Sequence, residues 1–126
     1  MAGQYLIDTN SVIDYLDNKL PANGANLLDK EELDISVITR MELLAWPNAE
    51  EEQISVLSQF INSVVTRSLD EPVILKRIEI RKEYRIKLPD AIIAATALVY
   101  NLSLVTRNID DFKNVKGIKL INPWDL

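Results

Sequence analysis

The chain is 126 residues long, carries 14 basic against 19 acidic side chains for a formal charge of −5, and is 48% hydrophobic. That size and composition provide for one well-filled core, so residues 1–126 are expected to form a single domain. With no cysteine and no histidine, disulfides, thiolate nucleophiles, cysteine zinc sites, imidazole bases and serine–histidine triads are all excluded, which leaves hydrolytic chemistry to carboxylates, lysine, tyrosine or a metal-bound water.

In chain order, "QYLID" (4–8) reads as a short buried strand ending on an aspartate. "TNSVIDYLDN" (9–18) reads as a helix that fails near Pro21, Asn23 and Gly24. "LDISVI" (33–38) is a second strand and "TRMELLAW" (39–46) a helix stopped by Pro47. A longer amphipathic helix over about 48–62 places Ile54, Leu57, Phe60 and Ile61 on one face. "VVTRSL" (64–69) is a third strand, followed by a charged helix at about 71–86. Its "KRIEIRKEYRIK" (76–87) sets six basic residues against two acidic ones, a local +4 that leaves −9 on the rest of the chain. Arg77, Arg81 and Arg85 stack there at i, i+4, as a solvated face or as one that guides phosphates. After Pro89 comes a helix apolar almost all round (90–101), expected in the core. "SLVT" (103–106) and "IKLI" (118–121) complete about five strands. The longest apolar run, "AIIAATALVY" (91–100), is about half of what a bilayer crossing needs, and the first residues show no signal pattern. A soluble, cytoplasmic protein with no membrane partner is expected.

Strands alternating with helices imply a parallel sheet covered on both faces, an α/β sandwich of three layers. In such a sheet ligands sit beyond the carboxyl ends of the strands, near the point where strand order reverses. Asp8 directly follows the first strand, Glu42 lies a turn beyond the second, Asp90 opens the buried helix, and Asp110 and Asp111 follow the fourth strand. Each acid taken singly also has a structural explanation: Thr39 with Glu42 and Asn108 with Asp111 have capping spacing, and Asp90 suits a first helical turn. Asp8 is different, because a carboxylate ending an apolar strand needs compensation that a cap gives only in part. Several carboxylates in one crevice repel one another, and a hard divalent cation, Mg²⁺ or Mn²⁺, resolves the conflict while supplying an acidified water as nucleophile.

"LIDTN", the glutamate of "ITRMEL", "LPDAIIAATAL", "LVTRNIDDF" and the final "INPW" resemble, in order and spacing, the PIN-domain nucleases, in particular the VapC-type toxins of toxin–antitoxin pairs. The resemblance spans nearly the whole chain. It implies an α/β/α sandwich with a parallel sheet of about five strands. It also implies an Mg²⁺- or Mn²⁺-dependent endoribonuclease that hydrolyses RNA phosphodiesters to a 3′-hydroxyl and a 5′-phosphate. By position it makes Asp8, Glu42, Asp90 and Asp111 the catalytic and metal-holding acids, with Asp110 the dispensable neighbour. Thr9 and Asn10 match positions that orient the first aspartate or a water, Thr106 and Asn108 look like supports of the fourth acid, and Arg107 is a candidate for the substrate phosphate. A homodimer and a small VapB-like antitoxin are the implied protein partners. Trp46, Trp124 and the apolar face of 54–61 are read as core, with an interface as the other possibility. A non-catalytic PIN-fold module that binds RNA or protein would be expected to have lost an acid. An aspartate-based phosphatase or phosphoacceptor would be expected to carry a second carboxylate where Asn10 stands, or a lysine near a later strand end.

Overall fold

Asn18 and Asn101 hold left-handed backbone conformations two residues past the ends of the first and sixth helices, φ 58° and 53°, and so terminate them where few other side chains are tolerated. These stops help to divide a computed structural model that describes residues 4–126. Among the described residues the order is β1 (Tyr5–Ile7), α1 (Thr9–Leu16), α2 (Ala22–Lys30), β2 (Leu33–Ser36), α3 (Val37–Leu44) and α4 (Glu51–Ser63). Then follow β3 (Val65–Arg67), α5 (Glu71–Glu83), α6 (Leu88–Val99), β4 (Ser103–Val105), α7 (Ile109–Phe112) and β5 (Leu120–Ile121).

The five strands form one sheet in the order β3-β2-β1-β4-β5, and every pairing is parallel. Alternation along the strands divides the core in two. Leu6 and Leu104 pack with Val73, Ile80 and the buried stretch Ala91–Ala97 on the α5/α6 face. Ile7, Leu33, Ile35 and Val105 pack with Val12, Leu28, Leu43, Leu57 and Phe60 of α1 to α4 on the other face. Such two-faced burial is what near-continuous apolar strands require, and it makes the expected α/β/α sandwich. Alanines at 91, 94, 95 and 97, none more than 1% exposed, let α6 lie close on the sheet. Among the described residues no helix is long and apolar enough to cross a membrane.

Several expected boundaries are corrected. Residues 22–30, read as a break, form α2. Pro21 is its N-cap, outside the ladder where a missing N–H would matter. Gly24 sits in that helix because a Cβ there would collide with the carbonyl of Pro123. Strand β2 ends at Ser36, whose hydroxyl accepts from Ile38 N–H and caps α3, so the expected Thr39–Glu42 capping box does not exist. Helix α5 ends at Glu83, which leaves Arg85 in the extended link to α6. The last strand is only Leu120–Ile121. Of the apolar face expected on α4, Leu57, Phe60 and Ile61 are buried while Ile54 is 49% exposed. Trp124 is exposed rather than core, and Trp46 is partly buried against the α1–α4 core.

Candidate active site

Sheet order reverses between β1 and β4, since the chain proceeds outward from β1 through β2 to β3 and returns to the other side of β1 for β4. The carboxyl edge at that reversal is where ligands bind in open parallel sheets, and two residues meet across it. Asp8, buried at the end of β1, accepts from the Thr106 hydroxyl at the end of β4 at 2.5 Å and from Ser11 N–H at 3.0 Å. The aspartate therefore does cap α1. Its second oxygen is held by a partner 98 residues away in the chain. Burial raises the Asp8 carboxyl above the ordinary aspartate range, against the lowering effects of Thr106, the Ser11 amide and the charge of Arg107. Ser11 Oγ, also buried, lies beside the first acid and lowers its carboxyl as well.

Glu42 reaches the same edge from α3, in the second half of the helix where capping is impossible. Its Oε1 accepts from the Thr9 hydroxyl at 2.6 Å, and Thr9 is 3.2 Å from the hydroxyl of buried Thr39. Thr9 thus braces the second acid, not the first as expected. Asn10 is exposed on the first turn of α1. Asp90 stands in the first turn of α6, and its carboxyl is raised first by burial and then by the charges of Asp111, Asp8 and Glu42, with Lys87 opposing. One side chain therefore feels all three of the other acids. Asp90 and Asp111 border a cleft of about 350 Å³ together with Asp110, Arg85 and Lys87. Asp110 is paired with Lys113 at 2.9 Å, whereas Asp111 acts on Asp90.

Thr106, expected beside the fourth acid, supports the first. Asn108 contributes through its backbone: its N–H donates to Thr106 Oγ1 at 3.0 Å and its carbonyl accepts from Asp111 N–H at 3.1 Å. Asn108 gives α7 no side-chain cap. Arg107, the candidate for the substrate phosphate, pairs with Asp14 at 3.1 Å, and Trp124 Nε1 donates to the same carboxylate at 3.1 Å. Asp14 and Ser11 were missed in the sequence; the i, i+3 and i, i+6 spacing from Asp8 along α1 was the only available signal.

The donor set consists of carboxylate oxygens alone, which suits a hard divalent ion. Charge crowding at Asp90 fits a cation held between these side chains. Among the described residues the acids stand apart, with no three of them in a closed metal-holding group.

A family profile described as "PIN domain" matches residues 5–118. A curated relative, Ribonuclease VapC19 of Mycobacterium tuberculosis, is 33% identical over 116 residues, covering 85% of this chain and 90% of that protein. Among solved structures, a toxin–antitoxin complex from Klebsiella pneumoniae superposes with a TM-score of 0.77 at 30% identity, covering 97% of this chain and 99% of that one. A DNA-bound VapBC from Salmonella typhimurium does so with a TM-score of 0.81 at 28% identity, covering 98% and 99%.

Proposed function

This chain belongs to the PIN-domain family, and on that premise we propose that it is a divalent-metal-dependent endoribonuclease, the toxin of a VapBC-type pair. The observation that carries the reading is that the Asp90 carboxyl is raised by the charges of Asp111, Asp8 and Glu42 as well as by burial. Four acids from four separate segments thus act on one another at this edge although they stand apart, a repulsion that a cation among them relieves. A ribonuclease among the relatives and toxin–antitoxin complexes among the structural neighbours support it.

Asp8, Glu42, Asp90 and Asp111 would hold Mg²⁺ or Mn²⁺. When bound, the cation supplies Lewis acidity, making a water more acidic and offsetting charge on the phosphoryl oxygens. The protein's own contribution is aim. The Thr106 hydroxyl and the Ser11 amide fix both oxygens of Asp8, and Thr9, backed by Thr39, fixes Glu42. Hydroxyl and amide donors orient carboxylates without neutralising them, so the acids keep their charge for the ion. Arg107, paired with Asp14, steadies ionised Asp8 with its charge.

The reading extends to partners. A shallow apolar groove of about 170 Å³ between α1 and α4, floored by Ile13, Leu16, Trp46 and Leu57 and rimmed by Asp17 and Glu52, suits a small antitoxin with apolar and basic side chains. Exposed Met41, Leu44, Leu75 and Ile78 suit a homodimer, and the protein acts in the cytoplasm.

The test is cleavage of total RNA by purified protein with Mn²⁺ or Mg²⁺, with chelator, and with Asp8→Asn. Discrete fragments that require both metal and Asp8 are expected, with Asp8→Asn losing at least about 10²–10³-fold in rate, as when an electrostatic group is removed from an active site. RNA left intact in every lane overturns the reading.

A further inference from the structure

An acidic cleft repels the polyanion it is proposed to cut, so something beside it has to hold the strand. We propose that Arg77, Arg81, Arg85 and Lys87 form a phosphate-binding track that leads a single RNA strand into the acidic cleft and sets which side of the scissile bond lies against α5. This rests on the ribonuclease reading and deepens it; these are positioning residues that do not touch the reacting atoms.

Three observations point the same way. Arg77 and Arg81 lie four residues apart on one face of α5, and with Arg85 and Lys87 they line an open groove of about 580 Å³. That groove runs into the acidic cleft, because Arg85, Ile86 and Lys87 border both. The cations are also free: among the described residues none of the four has a carboxylate within ion-pair distance, whereas Lys76 on the same helix is paired with Glu79 and Lys113 beyond the cleft with Asp110. Finally, Arg77 Nε is buried without any acceptor. With that N–H closed to water and protein alike, the guanidinium is left to bind through its other N–H groups, for which the oxygen-rich backbone of a nucleic acid supplies acceptors. Side chains that bind phosphates without reading bases set the register of a strand, so the track places the cut without choosing its sequence.

The test separates binding from cleavage. Binding of a labelled single-stranded RNA is measured across a salt series in an Asp8→Asn background, with and without Arg81→Gln and Arg85→Gln together. Lys19→Gln with Lys30→Gln is the control, since α1 and α2 end at the opposite edge of the sheet. Loss of two phosphate contacts is expected to reduce the slope of log Kd against log salt by about 1.4 and to weaken binding about 10- to 30-fold at 0.1 M salt, with the control unchanged. In the cleaving protein the same pair raises KM on long RNA by that factor and holds kcat within about two-fold, as expected when uniform binding is removed. An unchanged slope and affinity overturn the proposal, whether or not the chain cuts RNA. Lost self-association with RNA affinity unchanged assigns the arginines to a protein interface and overturns it as well. The expected slope from a wild-type protein that cuts no RNA supports the track and overturns the nuclease reading instead.

Discussion

Asp8 and Asp34 are aspartates buried on adjacent strands, 5% and 1% exposed, and the fold treats them in opposite ways. Asp34 is given a full counter-ion: Arg67 Nε stands 2.8 Å from its Oδ2. The guanidinium of that arginine lies 4.5 Å from the centre of the Tyr100 ring, and Tyr100 donates its hydroxyl to Asp70. Asp8 receives one hydroxyl and one amide. The arginine whose charge reaches it, Arg107, is held by Asp14. A buried charge that serves the fold is neutralised from within, as burial demands. Asp8, at the edge where strand order reverses, is left short of positive charge together with three neighbours of the same sign. The difference separates an aspartate neutralised within the fold from one that is not.

Breaking the neutralised pair should have the largest effect on stability. Arg67→Met strands the Asp34 charge in the core and is expected to cost about 3–5 kcal/mol in denaturant unfolding, while RNA cleavage per folded molecule is unchanged. Adding Asp34→Leu to it should recover most of the loss, because a well-packed apolar pair can replace a buried ion pair. A loss of cleavage out of proportion to unfolding would place Asp34 in the active site after all.

At the other aspartate, Mn²⁺ at about 100 times its Kd should stabilise the protein by about 2.7 kcal/mol, read as a rise in Tm that Asp90→Asn diminishes. The pH dependence follows in sign. Burial raises the Asp8 carboxyl, and burial with like charge the Asp90 carboxyl, above their ordinary value of 3.8. Between that value and the raised ones the folded chain binds more protons than the unfolded chain. From these two groups, metal-free protein loses stability as pH rises through that window, and the penalty is complete above it. The gain from Mn²⁺ should accordingly be largest at neutral pH and shrink on acidification, because the ligands must be ionised. A gain independent of pH would mean that the ion binds elsewhere.

Finer still, Thr106→Val removes the hydroxyl that orients Asp8 and should lower metal affinity or cleavage about 10–100-fold with little change in fold. Asp110→Asn should do nearly nothing, within about 0.5 kcal/mol of stability and with cleavage unaltered, since that carboxylate is exposed and paired with Lys113. A large effect there would exchange the roles of Asp110 and Asp111.

The alternation of apolar strand and helix was legible because both faces of the sheet are covered, which leaves the strands as short apolar runs. Helix α2 was not, since Pro21 and Gly24 punctuate a sequence in the same way whether they break a helix or begin one. What distinguishes the two cases is Pro123, a hundred residues further on, filling the space a side chain would take. The same limit shaped the site. Which acids follow strands could be read locally, but the hydroxyl that orients each could not. Thr106 was expected at the fourth acid because it is near it in sequence, and it serves the first because β1 and β4 are neighbours in the sheet. Thr39 looked like a cap three residues before a glutamate; the real cap, Ser36, terminates the strand, which frees Glu42 for the edge.

Strand β1 pairs with β2 on one side and β4 on the other, so the first acid to leave the ribosome is among the last to be set in place. The Asp8 carboxylate cannot meet the Thr106 hydroxyl until 98 more residues have been made, an interval on the order of 5–20 s at ordinary rates of synthesis. Until then the nascent chain carries Asp8, and Glu42 and Asp90 as each is added, without the hydroxyl that aims the first of them. The carboxyl edge to which Asp8 belongs is therefore completed only once β4 has been translated.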